Sequence, residues 1–144
     1  MKRISYLLIM SSFFVTSINA SSLYIYNGLY GRKMKVSITF NRQKPAKEFV
    51  LDSSNNRYQK IGTIDDRAAL SLLTIDIEAG ASKYSEGSKE PGIKKSNIFS
   101  GTALQKAEAL LKQNKDIWIN VQEVPGAIPA QIGVNVLSEP LKQG

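Results

Sequence analysis

Met34-Lys35-Val36-Ser37-Ile38-Thr39-Phe40 alternates without a fault: Met34, Val36, Ile38 and Phe40 fall on one side, and Lys35, Ser37 and Thr39 on the other. A period of two is the signature of a strand with one face in the core and one in water, because successive side chains of an extended backbone point to opposite faces. The same reading recurs on both sides of it. Upstream, Leu23-Tyr24-Ile25-Tyr26 mixes aliphatic and aromatic residues and stops at the turn signal Asn27-Gly28. Downstream, Glu48-Phe49-Val50-Leu51 is ended by the polar run Asp52–Asn56, and Arg57 to Ile64 alternates less cleanly. Asp65 could cap a helical turn, after which Leu73, Ile75 and Ile77 share one strand face and Thr74, Asp76 and Glu78 the other. Near the C-terminus Ile117, Ile119 and Val121 line up, as do Ile132, Val134 and Val136, and Pro125-Gly126-Ala127-Ile128-Pro129 forces the connection between them. That pair reads as a hairpin.

One segment breaks the pattern. Ala103, Leu104, Ala107, Leu110 and Leu111 are spaced for one face of an α-helix. Thr102 and Gln105 match a capping box, and Lys112 and Lys115 sit where the helix dipole favours cations. The spacing predicts a helix over 102–114. Residues 79–97 hold Gly80, Gly87, Pro91 and Gly92 among Ser, Lys and Glu, and are expected to form a long mobile loop. Ser138 to Gly144 reads as a frayed tail. About seven short strands and one helix predict a mainly β fold, a β-sandwich or partly open antiparallel barrel with the helix on one side or end, over a single domain of residues 21–144.

The first twenty residues stand outside that fold. Lys2 and Arg3, an apolar run from Tyr6 to Val15, and the small-residue exit Thr16-Ser17-Ile18-Asn19-Ala20 follow the order of a secretory signal peptide, with the cut expected after Ala20. The run is too short for a bilayer span of roughly 20 residues. The expectation is therefore a secreted or periplasmic protein that meets the membrane only during export.

The chain contains no cysteine and no histidine. Disulfides, thiolate metal sites, imidazole acid–base catalysis and the histidine-dependent nucleophile systems are all excluded. An exported domain without disulfides points to a bacterial source, and a core must hold it together unaided. No cofactor is expected. The net charge is +7, and loss of Lys2 and Arg3, the only charged residues among the first twenty, leaves +5. A cationic exported domain favours anionic partners, and an unidentified protein or anionic surface polymer is expected. The chain lacks the dense Lys/Arg stripe of a nucleic-acid binder.

The expected contact surface joins Tyr24, Tyr26 and Tyr30 to Arg32, Lys33 and Lys35: aromatic faces stack on sugars while nearby cations hold sulfate, phosphate or carboxylate. Trp118, the single tryptophan, points away from Ile117 and Ile119 and is either covered by the helix or an exposed anchor. No catalytic residue and no metal ligand is assigned, and the leading expectation is a non-enzymatic binding module. Two alternatives remain open. A secreted inhibitor or effector would act through the proline-stiffened loop 124–130. An Asp/Glu hydrolase would use Asp76 and Glu78, which share a strand face.

Overall fold

A computed structural model describes residues 20–29, 31–40, 47–52, 57–64, 70, 72–80 and 92–141. The elements are β1 (Ser21–Asn27), β2 (Lys33–Phe40), β3 (Lys47–Asp52), β4 (Gln59–Ile64), β5 (Leu73–Ala79), β6 (Ile93–Lys95), α1 (Gly101–Lys112), β7 (Ile117–Glu123) and β8 (Ile132–Leu137). The strands form two four-stranded sheets, ordered β4-β1-β7-β8 and β3-β2-β5-β6. The fold is thus mainly β. The apolar side of each alternating strand is the buried one: Leu23 and Ile25, Met34, Val36 and Ile38, Leu73, Ile75 and Ile77, and Ile117, Ile119 and Val121 all enter one core cluster. Burial of these aliphatic side chains, each contributing about 1.5–3 kcal/mol on removal from water, stands in for the absent disulfides.

Five of the six strand pairings are antiparallel, but β1 and β7 run parallel, with Leu23 opposite Ile117 and Tyr24 opposite Trp118. This corrects the antiparallel expectation for the first sheet. Alternation reports which face a residue takes and carries no information on the direction of a distant partner strand. The expected loop 79–97 is also corrected in part, since Ala79 ends β5 and Ile93–Lys95 form β6, paired to it through Ile77–Lys95 and Ala79–Ile93. A three-residue strand is too short to show a period. Residues 81–91 lie outside the described residues, as do the expected signal peptide up to Asn19, Asp65 and Tyr30.

The helix starts one residue before the expected capping box. Ser100 is the N-cap in extended conformation, and it makes no side-chain cap bond. At the other end Asn114 takes a positive φ of 56°, which ends the helix close to the expected place. Ala107, Leu110 and Leu111 are buried, and α1 packs on β8 and β7, joining the core from the first sheet's edge. Lys95 Nζ donates to the Ile132 carbonyl at 3.0 Å, tying β6 of one sheet to β8 of the other.

The turn after β1 is locked by side chains. Asn27 is buried, and its Nδ2 donates to the carbonyls of Arg32 at 2.8 Å and Leu51 at 3.0 Å while its Oδ1 accepts from Leu29 N–H at 2.9 Å. One amide thereby pins the end of the first sheet to the β1–β2 turn and to β3 of the second. Gly28 donates its N–H to the Val121 carbonyl at 2.8 Å. A Cβ there would stand 2.5 Å from that same oxygen, so the close approach of backbone to backbone demands glycine.

Candidate functional site

The outer face of the first sheet carries an aromatic cluster. β1 sends Leu23 and Ile25 inward, so Tyr24 and Tyr26 stand outward and half-buried. β7 does the same with Trp118, and the parallel register sets Trp118 directly beside Tyr24. Their rings stack with centroids 4.1 Å apart and planes 9° from parallel. Tyr58, just before β4, meets Trp118 edge-on at 5.0 Å and Tyr26 at a tilt at 5.4 Å. Such contacts add about 0.5–1.5 kcal/mol per pair to the area they bury. The Tyr58 hydroxyl donates to Asn120 Oδ1 at 2.7 Å and accepts the Leu141 N–H at 3.2 Å, so the tail expected to fray touches the cluster. A β-bulge between Leu23 and Tyr24 sets exposed Lys60 opposite Tyr24, giving the aromatic face a cation.

The expected contact surface is divided by the fold. Tyr24, Tyr26 and Trp118 come together, and Trp118 is neither core nor fully exposed. Lys33 and Lys35 stand outward on β2, on the outer face of the second sheet, with the core between them and the tyrosines. Lys35 lies 3.4 Å from Glu48 in an exposed ion pair. Arg32 is 1% exposed, and its Nε meets Glu123 Oε1 at 2.8 Å while Nη1 donates to the Gly80 carbonyl at 2.6 Å. Its guanidinium is engaged within the protein, joining the β1–β2 turn to the ends of β5 and β7. Five residues of one short stretch, Tyr24, Tyr26, Arg32, Lys33 and Lys35, are thus sent to an outer face, to the interior and to the opposite outer face.

Sequence reasoning missed Tyr58, Lys60 and Asn120. Tyr58 lies in a segment whose alternation is imperfect, and Lys60 reaches Tyr24 only through the bulge, which shifts register by one residue without a sequence mark.

Two further surfaces bear on the alternatives. The β7–β8 connection projects Ile128 into solvent, 95% exposed, and closes on itself through Val124 N–H to Gln131 O at 2.9 Å and Ala127 N–H to Val124 O at 3.3 Å. Asp76 and Glu78 share the outer face of β5 as expected, both exposed, with Glu78 3.6 Å from Lys94 in a shallow depression that Lys35 and Ser37 also line. Lys94 and Lys95 also line that depression, so cations surround the two carboxylates. No group of three or more carboxylates converges to hold a metal ion among the described residues.

Compared with known proteins, the chain matches no family model and no curated sequence.

Proposed function

We propose that the chain is an exported β-sandwich binding module whose outer aromatic face recognises an anionic surface polymer. The observation that carries this reading is the Tyr24–Trp118 stack, flanked by Tyr26 and Tyr58 and bordered by Lys60. The half-exposed rims of these rings offer apolar and quadrupolar surface to a sugar, while Lys60 supplies a charge for carboxylate or sulfate. The positive charge of the mature chain works in the same direction at longer range. Lys33 and Lys35, on the far sheet, have no part in the contact.

Trp118 is its own reporter, being the single tryptophan. Titration with polygalacturonate and with heparin, with neutral dextran as control, is expected to shift Trp118 emission saturably for an anionic polymer and not for dextran. Tyr24→Ala with Lys60→Glu is expected to weaken binding about tenfold, a loss of roughly 1.4 kcal/mol. Lys33→Gln with Lys35→Gln, which lowers the net charge by the same amount on the far sheet, stays near wild type. Unmoved emission with both anionic polymers, or equal affinity of the two double variants, overturns the reading.

The full exposure of Ile128 favours a second reading, in which loop 124–130 inserts its apolar tip into a cleft of a protein partner. The loop's internal hydrogen bonds lower the ordering cost of such a contact.

A further inference from the structure

Ser21 is 0% exposed, and its Oγ is the one buried side-chain polar atom without a hydrogen-bond partner among the described residues. A buried hydroxyl left unpaired carries its full desolvation cost. Ala20, one residue earlier, is exposed. One residue later, the Ser22 N–H donates to Asp116 Oδ1 at 3.0 Å. Asp116 is half-buried in the connection between α1 and β7, so its carboxylate sits at the point where β1 begins.

We infer that Asp116 and Ser21 Oγ form a receiving site for the new N-terminus created when the leader is removed between Ala20 and Ser21. The inference rests on the export reading. A signal peptidase supplies water across the Ala20–Ser21 amide: the C–N bond breaks, hydroxide joins the Ala20 carbonyl carbon, and hydrogen joins the Ser21 nitrogen. The Ala20 carboxylic acid loses its proton and the Ser21 amine gains one, so atoms and charge balance. A nitrogen with one N–H becomes an ammonium with three. That cation lies within about one Cα–Cα step, ~3.8 Å, of a nitrogen already bonded to Asp116. It stands one residue from a half-buried carboxylate that already accepts the adjacent N–H, and beside it the buried Ser21 hydroxyl is a polar neighbour with no other partner. Processing thus converts an unsatisfied strand start into a paired one, and the mature chain is more stable than a chain that keeps Ala20.

Four proteins test this: residues 21–144 and 20–144, each with Asp116 and with Asp116→Asn, compared by urea unfolding. Asparagine keeps Oδ1 for the Ser22 N–H and replaces the charged carboxylate by a neutral amide of the same shape. The Ser21-starting chain is expected to have a folding equilibrium constant about fivefold above that of the Ala20-starting chain, with the difference lost in Asp116→Asn. Acetylation of the Ser21 amine removes the charge without substitution and is expected to cause the same loss. Equal stability of the two starts, a difference that survives Asp116→Asn, or an acetylated chain as stable as the free one overturns the inference. Mass spectrometry of the chain exported from cells expressing residues 1–144 separates this from the export reading. A chain that is never cut overturns both, whereas a cut at another bond overturns the inference and leaves export standing.

Discussion

Arg32 shows how little a residue's type reveals of its task. In the sequence it stands between Gly31 and Lys33, two residues after Tyr30, and a cation near aromatics reads as a ligand contact. In the fold its guanidinium is buried against Glu123 and the Gly80 carbonyl, two groups that only tertiary structure brings to it. Glu123 remains 42% exposed and can be rehydrated, whereas Arg32 has no water to fall back on. The fork geometry is what spans the two acceptors at once, and an ammonium would hold only one of them. Arg32→Lys is therefore expected to cost about 1–3 kcal/mol in urea unfolding. A midpoint equal to wild type would show that charge alone suffices. Asn27 and Gly28 were legible as a turn because their types are turn types; that Asn27 also bonds across to β3 was not, because no local pattern marks a partner 24 residues away.

At the scale of elements, the strands with clean alternation, β2, β5 and β7, could be placed from sequence because each buries apolar side chains in alternation: Met34, Val36 and Ile38; Leu73, Ile75 and Ile77; Ile117, Ile119 and Val121. β6 could not, and β4 only loosely. The helix was legible from its apolar spacing, but its start was not. Thr102 and Gln105 fit the capping pattern, yet the chain caps at Ser100 with no side-chain bond. An N-cap serine whose side chain makes no cap bond contributes little beyond its extended backbone. Ser100→Ala is accordingly expected to change stability by less than about 0.5 kcal/mol, where a bonded cap costs about 1. Thermal unfolding measures it, and a loss near the bonded value would show that the hydroxyl caps the helix in solution.

For the molecule as a whole, the two sheets give it two outer faces and two ends, and each proposed contact belongs to one of them. The aromatic face with Lys60 is on the first sheet, Ile128 is at the β7–β8 end, and Lys33 and Lys35 stand apart from both on the second sheet. Because Ile128 makes almost no contact with the body, Ile128→Asp is expected to leave the unfolding midpoint within about 0.5 kcal/mol of wild type. The same variant leaves polymer binding at the aromatic face intact and removes a protein contact made by the loop. Loss of polymer binding in it would move the site from the sheet to the loop.

By itself the sequence determined the class: alternation placed the apolar faces, the helical spacing placed α1, and the absence of cysteine and histidine removed most catalytic and metal chemistry. These are properties of residue type and short-range period, which a chain carries in any conformation. Only the tertiary structure decided that β7 lies parallel beside β1, that Tyr24 therefore stacks on Trp118, that Arg32 is enclosed, and that Lys33 and Lys35 look the other way. Each depends on which distant strands pair and in what register, and that is settled by the packing of the whole core.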